Sequence, residues 1–291
     1  MNKTVITTGD PNGIGAEITV KTLRCSDVKG NVILVSNRRI LDFYGGGDLD
    51  CELIEIPFDE DIQPGRVTAG CGEFSFQSLK KACEAGLPIV TAPVSKAALH
   101  LAGRKFNGQT EILEYFLAHD GQRADMLFTA EGLRVLLLTR HVPLKEVSLT
   151  KEIVVEKISN LAAFLASPAK FALCGFNPHA GEGGILGREE TEILIPAVEA
   201  LRAKGIDITM PLPADTLFSQ RDKYDCIVAN YHDQGLIPIK TLYGRRVVNM
   251  TIGLDVIRTS PPHGTAFDIA GKNLADPAGM IEAVKKVIGA T

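Results

Sequence analysis

The chain has 291 residues, with 31 Lys and Arg against 35 Asp and Glu, a formal charge of −4. That length suits about two domains, and 45 % hydrophobic with 23 % charged residues excludes a disordered chain. The balance lacks the basic excess of a nucleic-acid-binding domain, and no apolar run is long enough for a transmembrane helix, so neither nucleic acid nor membrane is expected as a partner. The opening Met1–Ile6 meets a Gly-Asp-Pro turn after a very short apolar run and is not expected to act as an export signal. Cys25, Cys51, Cys71, Cys83, Cys174 and Cys226 form no C-x-x-C pair. They read as free thiols in a reducing, cytoplasmic setting.

Taken in chain order, apolar runs of strand length alternate with helical patterns. Strands are predicted at 4–8, 32–36, 88–93, 134–139, 170–174, 225–229 and 247–253. Several are continuously apolar, as expected of strands buried on both faces. Residues 151–166 place Ile153, Val154, Ile158, Leu161 and Leu165 at helical spacing, and 188–204 place Ile193, Leu194, Val198 and Leu201 likewise. A last helix is predicted over 277–288, carrying Met280, Ile281, Val284 and Val287. This alternation means an α/β fold with a largely parallel sheet. No repeat or Gly/Ser linker interrupts it, so a domain boundary must be a hinge within packed structure.

In such sheets ligands bind beyond the carboxyl ends of the strands. After the first strand comes Gly9-Asp10-Pro11-Asn12-Gly13-Ile14-Gly15-Ala16-Glu17. Its glycines suit a backbone loop that approaches a ligand and opens a helix, or equally a tight strand–helix turn. The spacing is not G-x-G-x-x-G, and no G-x-x-x-x-G-K-[ST] occurs. Three later strands each run out into a histidine: His141 after 134–139, His179 within Gly175–Gly184, and His232 within Asn230–Gly235. Neighbouring strand ends lie about 4.8 Å apart, so the three imidazoles can converge on one divalent metal, leaving an open position as catalytic sites do. His100 and His119 lie in helical or turn context and are read as having no ligand role. Pro261–Lys272 is a polar loop with glycines, suited to an adenosine or ribose edge. Lys96, Lys240, Arg245, Arg246 and Arg258 are the basic side chains placed to meet a phosphate or carboxylate.

These motifs, in this order, resemble the 4-hydroxythreonine-4-phosphate dehydrogenase family of vitamin B6 biosynthesis over nearly the whole chain. The resemblance rests on Gly9–Glu17, Ala92–Lys96, Phe106–Glu111, Asn177–Gly184, Pro211–Phe218, Tyr231–Gly235 and His263–Ala266. The first and last of these also look like isocitrate and isopropylmalate dehydrogenases. It implies two α/β/α domains around a cleft, with 1–106 plus 255–291 as a terminal-segment, NAD-binding domain and 107–254 as a central metal and dimer domain. It further implies a homodimer with active sites near the subunit interface, NAD or NADP, and one divalent metal (zinc, magnesium or cobalt) per site.

Carried over by motif, the metal ligands are His141, His179 and His232. The substrate contacts are Thr110, Lys240, Asn249 and Arg258, with Gln109 where the family pattern has His. Gln cannot titrate or carry charge, which puts the exact substrate in question. The cofactor side draws on Gly9, Asp10, Gly13, Gly15, His263, Gly264, Thr265 and Ala266. Lys240, Asp233 and Asp215 are the candidates for the catalytic base. The implied reaction is oxidation of 4-phosphohydroxy-L-threonine to a β-keto acid that decarboxylates to 3-amino-2-oxopropyl phosphate. The alternatives are a sibling dehydrogenase of threonate or erythronate 4-phosphate, a metal-dependent hydrolase using the same histidines, and a non-catalytic binding protein.

Overall fold

The computed structural model describes residues 3–26, 28, 31–119, 121–165 and 168–290. Its regular elements in chain order are β1 (Thr4–Thr7), α1 (Gly15–Leu23), β2 (Val32–Ser36), α2 (Arg38–Phe43), β3 (Glu52–Glu55), α3 (Ala69–Glu84), β4 (Ile89–Thr91), α4 (Lys96–Leu101) and α5 (Gln109–Leu117). There follow β5 (Asp125–Ala130), β6 (Leu133–Leu137), α6 (Lys151–Leu165), β7 (Lys170–Leu173), α7 (Ile195–Ala203), β8 (Asp207–Ile208), α8 (Ala214–Leu217), β9 (Cys226–Ala229) and α9 (His232–Tyr243). β10 (Val248–Ile252), β11 (Arg258–Ser260) and α10 (Ala278–Ala290) complete the chain. Contacts divide it into two units: Met1–Ala124 with Arg245–Thr291, and Asp125–Gly244.

In the first unit the strand order is β3-β2-β1-β4-β11-β10. Pairing is parallel from β3 through β11, and β10 runs antiparallel to β11. Successive side chains of a strand point to opposite faces, and both faces are covered. Ile6, Leu34 and Val90 pack with Ile18, Met280, Val284 and Val287 of α1 and α10. Val5, Ile33, Val35 and Ile89 pack with Phe74, Ala82, Ala98 and Leu113 of α3, α4 and α5.

In the second unit the order is β5-β6-β9-β7-β8. β5 and β6 form an antiparallel hairpin whose two turn residues, Glu131 and Gly132, both have positive φ, the geometry that matches strand twist. The pairs β6–β9, β9–β7 and β7–β8 are parallel. The strands that precede His141, His232 and His179 are therefore consecutive neighbours, with the His232 strand in the middle.

The boundaries expected at 106/107 and 254/255 fall instead at 124/125 and 244/245. Helix α5 packs against α3, and β10 pairs with β11, so both belong with the terminal segments. The helix expected over 188–204 is a π-helical turn, Glu190–Leu194, followed by α7. Ala166, the end of another expected helix, and Met1-Asn2 lie outside the described residues. The apolar run at Ile237–Ile239 is part of α9, which contains Pro238. Among the described residues no helix is long and apolar enough to cross a membrane.

Candidate active-site constellations

In the first unit, β10 and β11 pair Asn249 with Ser260 and Thr251 with Arg258. Directly opposed residues share a face, so these four side chains line one side of the ladder. Arg258 comes after β10, opens β11 and is 2 % exposed. Its Nε and Nη2 donate to Thr91 Oγ1 at 2.9 and 2.6 Å, and Nη1 donates to Thr251 Oγ1 at 3.3 Å. Nη2 also donates to Gln109 Oε1 at 2.8 Å, and Gln109 Nε2 donates to the Ala92 carbonyl at 3.0 Å. Every one of these acceptors is neutral. Burial pulls the guanidinium down to about 9, which still leaves it charged at neutral pH. A buried charge without a counter-charge is unfavourable, and an anionic ligand is the natural complement, bound bidentately. Asn249 Oδ1 is also buried without a hydrogen-bond partner among the described residues. Thr110 stands beside Gln109 at the start of α5. Sequence reasoning named Gln109, Asn249 and Arg258 but missed Thr91 and Thr251, whose hydroxyls hold the guanidinium.

The glycine loop turns inward. Asp10 N–H donates to the Pro93 carbonyl, Gly13 N–H to Asp10, Ile14 N–H to Thr265, and Asn12 N–H to Asp10 Oδ1. A Cβ on Gly9 would stand 2.2 Å from the Pro93 oxygen, and one on Gly15 2.2 Å from the Thr8 oxygen. These glycines permit close backbone packing, and four of the loop's N–H groups are already satisfied within the protein. Burial pushes the Asp10 carboxyl up to about 6 against the pull of the Asn12 N–H. The loop meets the later motif directly, since a Cβ on Gly13 would come 3.0 Å from Thr265 Cβ. Within His263–Ala266, Gly264 is exposed with open space around it, while Ala266 holds φ of 43° and packs against the core. The exposed Gly264 leaves room beside this loop, with the Gly9–Gly15 turn packed behind Thr265.

In the second unit the strand ends are tied together by Asn230 and Gln234. Thr139 N–H and Oγ1 donate to the Asn230 carbonyl at 3.1 and 2.7 Å. Asn230 Nδ2 donates to the Cys174 carbonyl at 2.9 Å, and Gln234 Nε2 donates to the Gly175 carbonyl at 2.7 Å. Gln234 Oε1 accepts from Asn230 N–H at 2.8 Å. Phe176 and Tyr231 add an edge-on ring contact, 6.1 Å between centroids. Asn230 and Gln234 stand in the Asn230–Gly235 motif, but the sequence alone carries no sign of this role.

The network brings the His141 and His232 rings to 5.5 Å between centroids. Two imidazoles on one cation, with metal–nitrogen bonds of about 2.0–2.1 Å, hold their ring centres roughly 5 Å apart, so the spacing fits a shared divalent ion. His232 Nδ1 lies 2.6 Å from Asp233 Oδ1. An ionised carboxylate only accepts, so Nδ1 carries the proton and Nε2 presents its lone pair, the usual arrangement behind a metal-binding histidine. Asp233 thereby orients His232. His179 Nδ1 faces Glu182 Oε1 at 3.3 Å.

The expected trio is not gathered as a ready set: among the described residues no three His, Cys, Asp or Glu side chains form a metal-binding group. His179 is carried on an unusual stretch of backbone. His179, Ala180, Gly181, Glu182 and Gly183 hold φ of 52, 52, 75, 41 and 67°. This left-handed conformation costs about 1–2 kcal/mol for each non-glycine residue, and it directs the imidazole. Asp215 stands on α8, which packs against this segment. Lys240 lies eight residues along α9 from His232, about 12 Å at 1.5 Å per residue, and is exposed. Of the remaining basic candidates, Arg245 pairs with Asp276 at 3.2 Å, and Lys96 is exposed at the start of α4.

Residues 2–287 match the family described as pyridoxal phosphate biosynthetic protein PdxA. A 4-hydroxythreonine-4-phosphate dehydrogenase of Sulfurihydrogenibium sp. is 37 % identical, covering 99 % of this chain and 98 % of its own. A D-threonate 4-phosphate dehydrogenase of Cupriavidus necator is 39 % identical, covering 97 % and 95 %. The crystal structure of 4-hydroxythreonine-4-phosphate dehydrogenase from Klebsiella pneumoniae superposes with a TM-score of 0.89 at 34 % identity, covering 99 % and 98 %. Isocitrate dehydrogenase from Methylococcus capsulatus shares the fold at 16 % identity, with a TM-score of 0.52 over 99 % of this chain and 85 % of its own.

Proposed function

The chain belongs to the pyridoxal phosphate biosynthetic protein PdxA family, and from that premise we propose that it oxidises 4-phosphohydroxy-L-threonine with NAD and a divalent metal. The product is a β-keto acid that decarboxylates to 3-amino-2-oxopropyl phosphate. The observation that carries the metal-dependent reading is the His141–His232 pair at the ends of adjacent parallel strands, 5.5 Å apart, with Asp233 behind His232.

In this reading His141, His179 and His232 hold the cation, which supplies Lewis-acid polarisation of substrate oxygens. His263, Gly264, Thr265 and Ala266 hold NAD, the hydride acceptor, and Gly9, Asp10, Gly13 and Gly15 brace Thr265 from behind. Arg258 takes an anionic group of the substrate, held in direction by Thr91, Thr251 and Gln109. Asn249 Oδ1 accepts from a substrate hydroxyl or ammonium, and Thr110 and Lys240 are further substrate contacts. The hydroxyl proton passes to Lys240 or Asp215. Asp233, the third candidate base, is engaged by His232. Work as a cytoplasmic homodimer, and use of NAD in preference to NADP, follow from the family resemblance.

A second reading, oxidation of D-threonate 4-phosphate, is favoured by Gln109, the one substrate-side residue that departs from the family pattern, and by the similarity to the relative from Cupriavidus necator. Both are tested by turnover of the metal-stripped protein with NAD and each substrate, adding zinc, magnesium or cobalt back singly and following NADH. Metal-dependent NADH formation from 4-phosphohydroxy-L-threonine supports the first reading. Turnover of D-threonate 4-phosphate alone replaces it with the second, and turnover of neither overturns both.

A further inference from the structure

Glu190 has no part in the reaction just described, yet it is a carboxylate only 3 % exposed. Its Oε1 accepts the Asn177 N–H at 2.7 Å, and its Oε2 accepts the Asn177 side-chain amide at 2.9 Å. On the other side of His179, a Cβ on Gly181 would stand 2.6 Å from Glu190 Oε2. One buried carboxylate therefore touches the chain two residues before His179 and two residues after it. From His179 to Gly183 the backbone is left-handed, and three of these five residues are not glycine. Such a conformation persists only where the surroundings enforce it. Glu190 bears on both sides of His179, while Glu189 Oε2 also accepts from the Asn177 side-chain amide at 2.7 Å; Glu190 is delivered there by a π-helical turn at the head of α7, an irregularity often found beside functional sites.

We propose that Glu190 is a positioning residue that sets the direction of His179 and, through it, the affinity of the histidine cluster for a divalent cation. The inference rests on the reading of His141, His179 and His232 as cation ligands. Glu190 itself touches neither cation nor substrate. The neutral replacement Glu190→Gln keeps the size but turns an amide donor toward a donor of Asn177, so one of the two hydrogen bonds is lost.

The test is cobalt(II) binding to the metal-stripped full chain, read by calorimetry and by the visible absorption of the bound ion. It compares the unaltered protein with E190Q, N177A and H179A. The expected result is a loss of affinity of roughly 10- to 100-fold in E190Q, with an altered cobalt spectrum, in a protein that still unfolds cooperatively. N177A should fall in the same direction, and it carries the test if E190Q does not fold. Affinity and spectrum equal to the unaltered protein in both variants, while H179A weakens binding, overturn the role of Glu190 and leave the ligand assignment standing. Cobalt binding that is absent, or indifferent to H179A, overturns the ligand assignment and the inference with it.

Discussion

Arg258 donates to Gln109 Oε1 at 2.8 Å, while Gln109 gives its own amide hydrogen to the Ala92 carbonyl at 3.0 Å. The amide is committed at both ends, so it fixes the guanidinium without neutralising it. Replacing Gln109 by Glu would place a carboxylate where the amide oxygen sits and give Arg258 an internal counter-ion. Affinity for the phosphorylated substrate should then fall at least about tenfold, since charged hydrogen bonds are worth ~1.5–3 kcal/mol each. Calorimetric titration of the variant checks this, and an unchanged dissociation constant would remove Arg258 from the anion site. The Gln109→His variant addresses selectivity. It should shift the ratio of kcat/KM between 4-phosphohydroxy-L-threonine and D-threonate 4-phosphate, whereas an unmoved ratio clears Gln109 of any part in specificity.

Asp10 gives a prediction about pH. Its folded pKa of about 6 lies above the unfolded value of about 3.9. Below pH ~4 the carboxyl is protonated in both states and nothing is lost. As pH rises toward 6 the unfolded chain ionises first, so this group's contribution to stability falls, and above about 6 the full penalty of about 3 kcal/mol applies. Asp10→Asn keeps an oxygen for the Asn12 N–H and removes the charge. Urea unfolding should find the variant equal to the unaltered protein near pH 4 and more stable by up to about 3 kcal/mol at pH 7. A gap that does not change with pH would mean that Asp10 does not titrate in this window.

The parts of the fold legible in the sequence were those in which burial alone dictates the residues. β2, apolar up to Ser36, and the wholly apolar β9 are buried along their whole length, and both were readable. β3 (Glu-Leu-Ile-Glu) and β11 (Arg-Thr-Ser) were not, because pairing with neighbours, rather than apolar character, makes them strands. α9 was hidden by Gly235 and Pro238. Gly235 is required because the helix lies close on the sheet, with a Cβ there coming 2.6 Å from Leu137 and 2.9 Å from Val135. The same division holds at the candidate site. Histidines after parallel strands could be picked out by chain position, but the Asn230–Gln234 network and the Glu190–Asn177 contact join residues 4 to 91 positions apart. No local pattern announces them.

Arg258→Met separates a charge kept for binding from one kept for folding. A buried charge facing only neutral oxygens contributes little to stability, and an apolar replacement of similar volume is often neutral or stabilising. The thermal midpoint should therefore hold or rise. Substrate affinity should drop roughly 100-fold or more through loss of two charged hydrogen bonds. A protein that melts much earlier, yet binds substrate normally when folded, would make Arg258 a structural residue.

Asp233 admits two roles that one variant tells apart. At 2.6 Å from His232 Nδ1 it orients the imidazole, while its place in the loop had also made it a candidate base. Asp233→Asn leaves an oxygen able to accept from Nδ1 but removes the charge behind the ring. If Asp233 orients, cobalt(II) affinity falls roughly tenfold or more, and kcat recovers when the metal concentration is raised. If Asp233 is the base, metal affinity stays put and kcat falls by about 10²–10⁴ at any metal concentration. The hydrogen bond to His232 predicts the first outcome, because a carboxylate held by an imidazole on one side offers its proton-accepting oxygen to that ring rather than to a substrate hydroxyl.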